Sequence, residues 1–159
     1  MADPLPDLLR LSDFGNDWDV YLEELYRIYL AEIVNGKLTL NDLPIRAQFR
    51  PMTHDRGFGF WHLISTGDAE EERVPNLRRC ERVRWISWVI RNVKTNDDIL
   101  WWENRRGSNT HVVLWFRAEK FAVILAKRKD YYLLKSAYPV RSEREKSFKK
   151  ECKRYWEKG

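Results

Sequence analysis

Four extended runs follow one another between Ile99 and Tyr138, and the turns between them are short. The runs are about Ile99–Asn104, His111–Phe116, Phe121–Ala126 and Tyr131–Tyr138, separated by RRGSNT, RAEK and KRKD. A parallel crossover needs a dozen or more residues, so turns this short force each strand back beside the last, as an antiparallel meander. The segments VVLWF and FAVIL are apolar at consecutive positions. A strand of that kind presents carbon to both faces of its sheet, and both faces must then be covered by other elements.

The covering elements are legible as helices. Between Asp17 and Val34, Trp18, Tyr21, Leu22, Leu25, Ile28, Tyr29 and Ile33 recur at helical spacing. Asn16 or Asp17 caps the start, and Asn35-Gly36 stops the end. From Asn76 to Val93, Leu77, Cys80, Val83, Ile86, Ile90 and Val93 form a second apolar stripe. After Pro139, Ser142 and Glu145 have capping-box spacing at the head of a terminal helix that runs to Trp156 and buries Phe148, Cys152, Tyr155 and Trp156. Ile45–Arg50 alternates as a strand, residues 37–44 read as a connection, and Phe60–Ser65 is a short turn of helix or a strand. PMTHDRGFG and TGDAEEER read as surface loops. The expected fold class is α+β, with N-terminal helices packed on a four-stranded antiparallel β-meander and a C-terminal helix. The expected single domain divides into an entry arm (1–16), a first helix (17–36), an α+β core (45–140) and the terminal helix (141–159).

The chain of 159 residues holds eight Trp, seven Tyr and seven Phe, more rings than a core of this size requires, so some are expected at the surface or along a groove. A formal charge of +5 points to a polyanionic partner. The two cysteines, Cys80 and Cys152, fall at apolar positions of expected helices and read as buried free thiols. They and three scattered histidines make no zinc spacing, and no metal or other cofactor is expected. No apolar run approaches the ~20 residues of a membrane span, and MADPLPDLL lacks a leader's basic flank, so a cytoplasmic protein without a membrane partner is expected.

Chemistry concentrates between Phe60 and Arg84. FWHLIS carries His62, and VPNLRRCERVRW carries Arg78, Arg79, Arg82 and Arg84. Histidine exchanges protons near neutral pH, and guanidinium forks match phosphodiesters. His62 is therefore the candidate acid or base, against the alternative of a hydrogen-bonded core histidine. Arg78, Arg79 and Arg82 are candidate phosphate contacts, against a solvated face bridged to Glu81 and the acidic loop at 70–72. Arg82 stands out because it shares a helical face with Arg78 and borders the apolar stripe. His54 reads as a surface residue and His111 as structural. Of the adjacent Trp101 and Trp102, beside Arg105 and Arg106, only one can face unpaired bases. Trp102 is taken as that ring, and Arg105 and Arg106 as RNA contacts.

FWHLIS followed by RRCERVRW, a strand hairpin and a last strand ending SAYPV resembles the phage- and mobile-element-associated members of the barnase–EndoU–colicin–RelE nuclease superfamily. The resemblance covers roughly Ile45 to Val140 and leaves out the first helix and the tail. It implies metal-independent RNA cleavage on a four-stranded meander, with RNA as partner and a protein inhibitor or antitoxin as a second one. In such nucleases the last strand often lends a hydroxyl to the site, a role that Ser136 and Tyr138 match. The catalytic set expected on these grounds is His62, Arg82, Ser136 and Tyr138. The alternatives are a non-catalytic RNA-binding module and a protein-interaction domain on the same fold.

Overall fold

The structure is a computed structural model and describes residues 3–48, 52–53, 56–67 and 73–158. It is α+β, as the sequence patterns predict. Strands β7 (Ile99–Arg106), β8 (Asn109–Phe116), β9 (Phe121–Lys127) and β10 (Tyr132–Pro139) form the expected antiparallel meander. The sheet is larger than expected, with six strands in the order β1-β2-β10-β9-β8-β7. Strand β2 (Leu43–Arg46) joins β10 in parallel, with Ile45 opposite Tyr132 and Arg46 opposite Leu133. Residues 37–44 are more than a connection. Strand β1 (Thr39–Leu40) pairs back on β2 through Asn41 and Asp42, both at positive φ (50° and 66°). Two left-handed residues in a two-residue turn match the twist of a hairpin, and Asn and Asp tolerate that backbone. The expected strand Ile45–Arg50 thus ends at Arg46, and residues 49–50 lie outside the described residues. Two-residue pairs β3 (Met52–Thr53) with β4 (Arg56–Gly57), and β5 (Ser65–Thr66) with β6 (Val74–Pro75), flank helix α2 (Phe58–Ile64). The open choice at residues 60–65 is therefore settled as helix up to Ile64, with Ser65 opening β5.

Helix α1 (Trp18–Ile28) is capped by Asp17, whose carboxylate accepts from the Asp19 and Val20 amides. It does not run unbroken to Val34. The last turn, Tyr29–Val34, widens to a π-helix closed by Asn35 N–H on the Leu30 carbonyl at 2.9 Å. Gly36 follows where a Cβ would lie 1.9 Å from the Glu32 carbonyl oxygen, so no larger residue fits there.

The second expected helix is two helices, α3 (Leu77–Glu81) and α4 (Val83–Asn92), broken at Arg82 (φ −107°, ψ 15°). The entry arm supplies the reason. In a continuous helix the Glu81 carbonyl would receive the Trp85 amide. Here it accepts the Leu9 amide at 3.0 Å, and Trp85 N–H turns to the Arg82 carbonyl at 2.9 Å. The arm lies along α4, held by Trp88 Nε1 to the Asp3 carbonyl (3.0 Å), Trp85 Nε1 to Pro6 (2.7 Å) and Arg84 Nη2 to Asp7 (2.8 Å). Leu5, Leu8, Leu9 and Leu11 pack against the core, as the docking of the arm on the body requires.

Helices α1, α2 and α4 cover one sheet face around Phe121, Val123 and Leu125. Helix α5 (Ser142–Lys158) covers part of the other, setting Phe148 against Trp102, Val113, Trp115 and Ala122. Its first turn closes from the Glu145 amide to the Arg141 carbonyl at 2.9 Å, which puts Arg141, not Ser142, at the cap position. No helix among the described residues is long and apolar enough to cross a membrane.

Strand β10 contains a bulge. Leu134 faces Leu125, but Ser136 faces Ile124, so Lys135 is the extra residue. Simple alternation places Tyr132, Leu134, Ser136 and Tyr138 on one face. The bulge splits this set: Tyr132, Leu134 and Ala137 enter the main core, while Ser136 and Tyr138 share the α5 side with Ile124 and Ala122.

Phe148 is fully buried, with ring centroids 5.2 Å from Trp102 and 5.7 Å from Trp115. Phe148→Ala should lower the unfolding free energy by about 3–5 kcal/mol in urea titrations followed by circular dichroism, because it empties the fully buried position by which α5 packs against this face.

Candidate phosphate-binding groove

Helix α3 starts at Asn76, whose side-chain oxygen accepts the Arg79 amide at 3.1 Å. That cap and the break at Arg82 fix where the arginines of this short helix point. Arg78 is exposed. Arg79 turns inward, and its Nη1 donates to the carbonyls of His62 (3.2 Å) and Ser65 (3.1 Å), where α2 ends. Its guanidinium carbon lies 5.7 Å from the Tyr138 ring centroid. Arg73 reaches the same carbonyls and adds bonds to Ser65 Oγ and the Gly67 carbonyl, both at 2.9 Å. Burial, and then the neighbouring charge of Arg73, lower the Arg79 pKa. Among the described residues Arg79 has carbonyls and a ring for partners, and no carboxylate.

Beside Arg79 opens a groove of about 550 Å³ between α3 and the junction of β10 with α5. Arg78 and Arg79 line one wall, Arg141 and Arg144 the other, and Tyr138 lies between, with Thr66, Asn76 and Ser147 as neutral polar groups. Among the described residues Glu143 is the one carboxylate in the lining. Arg144 bonds weakly to Glu151 (3.4 Å) and sits over the Phe148 ring at 4.6 Å. Among the described residues four guanidinium groups meet one carboxylate here, an arrangement that favours a phosphate or a run of phosphates.

The groove unites Arg78, Arg79 and Tyr138 from the sequence-predicted set. Other members of that set go elsewhere. Arg82 does not line the groove. Its Nη1 donates to the Arg78 carbonyl (2.9 Å) and, more weakly, to Glu81 (3.4 Å), and the group lies over Trp85 at 5.2 Å. Arg82 stays beside Arg78, and burial and then the Arg78 charge lower its pKa, but it leaves the groove to Arg78 and Arg79. His62 lines a separate cleft of about 80 Å³ with Gln48, Gly59, Leu134 and Lys135. Only its backbone carbonyl reaches Arg79.

Trp102 is not a stacking surface. It is 0 % exposed, and its Nε1 donates to Glu151 at 3.1 Å. Arg105 is exposed beside the β7–β8 turn and does not line the groove. The Arg106 side chain, His54 and the acidic loop at 70–72 lie outside the described residues. Both cysteines are free. Cys80 is buried, its thiol pushed up to about 12 by burial, and Cys152 is half-buried. Among the described residues no group of three or more His, Cys, Asp or Glu side chains is placed to hold a metal.

Sequence reasoning missed Arg141 and Arg144, which lie beyond the block where chemistry appeared concentrated. The available signal was an arginine pair flanking the start of a helix just after Pro139. His111, read as structural, has a definite place in the sheet. Across the sheet, Asn104, His111, Ala126, Leu133 and Arg46 face one another in register. The next row is Trp102, Val113, Ile124 and Ser136, and the one beyond is Leu100, Trp115, Ala122 and Tyr138. His111 thus stands on the same sheet face as Ser136 and Tyr138. Lys135 and Leu134, which border the His62 cleft, belong to the bulge and to the opposite face.

No family model matches this chain, and no curated protein or solved structure matches it.

Arg79 and Arg78 should separate in their effect on folding. Arg79→Met removes two hydrogen bonds, leaving Arg73 as the donor to the His62 and Ser65 carbonyls, and should cost about 1–2 kcal/mol in urea unfolding. Arg78→Ala, at an exposed position, should stay within about 0.5 kcal/mol of the parent.

Proposed function

We propose that this protein binds RNA by its phosphates in the groove formed by Arg78, Arg79, Arg141 and Arg144. One observation carries the reading. Among the described residues Arg79 is a half-buried cation with no carboxylate partner, and it fronts a groove whose described lining holds three more guanidinium groups and one acid. Burying a charge is costly unless something compensates it, and neutral carbonyls compensate only in part. A phosphate entering the groove supplies negative charge to Arg79 and to the arginines around it. RNA is preferred over other polyanions because the resemblance in the strand and arginine segments points the same way.

A cleaving form of this reading, a metal-independent endoribonuclease, is favoured by the register of the sheet. Ser136 and Tyr138 share a face with His111, and Tyr138 borders the groove. In such a reaction the ribose 2′-oxygen attacks the adjacent phosphorus and a base takes its proton. The bond to the 5′-oxygen breaks, and an acid protonates that oxygen. The products are a 2′,3′-cyclic phosphate and a 5′-hydroxyl. Guanidinium groups would hold the charge that builds on the phosphoryl oxygens. On this face His111 is the imidazole proposed for proton transfer; it stands on β8, two strands from Tyr138, and does not line the groove. His62 is the competing candidate, from the cleft across β10.

Fluorescence anisotropy with a labelled single-stranded RNA tests the binding. With four arginines engaged, the logarithm of affinity should fall with the logarithm of salt with a slope of about −3. In R78A/R141A/R144A the slope should flatten to about −1 and affinity at 100 mM salt should drop at least tenfold. A triple variant with unchanged affinity and slope removes the groove as the binding site. Gel analysis of the same RNA tests cleavage. Cyclic-phosphate products lost in His111→Ala and retained in His62→Ala support the face assigned above, and the reverse pattern restores His62. RNA that is bound and never cut leaves a binding module.

A further inference from the structure

The C-terminal end of α5 carries an aromatic surface that the groove does not use. Trp156 is 51 % exposed, and it is the one aromatic ring among the large exposed apolar side chains of the described residues. An indole this open to water ordinarily keeps its rotamer freedom, but this one is fixed from three sides. Its Nε1 donates to the Trp101 carbonyl at 2.8 Å. The Trp101 ring meets it edge-on at 5.0 Å and 86°, and the Tyr155 ring at 5.1 Å and 90°.

Beside the ring lies a cleft of about 270 Å³, lined by Lys94, Asn96, Asp97, Leu100, Trp101 and Trp156, among others. Drug-sized ligands occupy roughly 300–1,000 Å³, so this space suits a single planar ring system. One cation lines it, and two more lie along the helix. Lys94 Nζ lies 4.2 Å over the Trp101 ring. Lys149 and Lys153, both exposed, precede Trp156 by seven and three residues and so share its ridge of the helix. Lys153 has only a loose contact with Glu157, at 3.9 Å between two exposed side chains.

We propose that Trp156 is a stacking platform for an unpaired nucleobase, with Lys94, Lys149 and Lys153 contacting the adjoining phosphates. The ligand class of the protein is then single-stranded RNA in preference to duplex. The inference rests on the RNA-binding reading above, but on different residues at the other end of α5. The chemistry favours a nucleotide over another occupant. A base needs a π-face already held in place, which the edge-on neighbours and the N–H bond supply, and its phosphates need nearby cations. The exposed carboxylate of Asp97 is an acceptor for the amino group of a base at the rim of the cleft.

The test measures the wild type, W156A, W156F and R78A/R141A/R144A against three probes: a single-stranded twelve-nucleotide RNA, a duplex of the same sequence, and inorganic polyphosphate. Alanine removes a stack worth about tenfold in affinity. W156A should therefore bind single-stranded RNA about tenfold more weakly, with duplex and polyphosphate affinities unchanged, while W156F retains most of the single-strand affinity. Unchanged single-strand affinity in W156A overturns the inference, and so does an equal loss for all three probes. Wild-type protein that self-associates in sedimentation without RNA, where W156A stays monomeric, assigns the ring to a protein contact and also overturns it. The two readings fail separately. Full RNA affinity in the arginine variant sinks the groove, whereas full RNA affinity in W156A sinks only the platform.

Discussion

Strands β8 and β9 carry apolar side chains on both faces, and neither face can be left to water. Val112, Leu114, Val123 and Leu125 are buried under the helices of the N-terminal half, and Val113, Trp115 and Ala122 belong to the layer under α5. At ~25 cal/mol per Å² of apolar surface, exposing either layer would cost several kcal/mol, comparable with the whole net stability of a domain. The chain answers by crossing back over the sheet after β10. That return sets the head of α5 next to α3. The groove follows from it, because two arginines from the middle of the chain and two from its end meet at one corner of β10.

Within that frame two local departures from regular structure decide which side chains reach the corner. The arm takes the Glu81 carbonyl for the Leu9 amide and so breaks the helix at Arg82. Arg82 is left over Trp85 with its donor on the Arg78 carbonyl, while Arg79 points into the groove. The bulge at Lys135 moves Ser136 and Tyr138 to the face opposite Leu134. The bulge shifts the strand by one residue, which is enough to reverse its facing, and the break separates the side chains of α3 from the stripe of α4.

The electrostatics follow from burial more than from net charge. An excess of five positive charges spread over the surface of a chain this size is modest. The informative charge is Arg79, which is desolvated, near Arg73 and held by neutral carbonyls. Surface ion pairs such as Lys153–Glu157, between two exposed side chains, contribute little by comparison.

The sequence by itself determined the α+β class, the meander and its turns, the burial of both faces of its central strands, and the first and last helices. Each of these is written in local periodicity, which a single segment carries alone. Only the tertiary structure decided that the sheet has six strands, because Leu43–Arg46 joins β10 across almost 90 residues of intervening chain. It likewise decided the break at Arg82, the burial of Trp102, the separation of His62 from the arginine groove, and the entry of Arg141 and Arg144 into it. Those outcomes depend on which distant group claims a carbonyl, on a single bulged residue, and on where α5 lands. A short-range pattern holds no record of any of them.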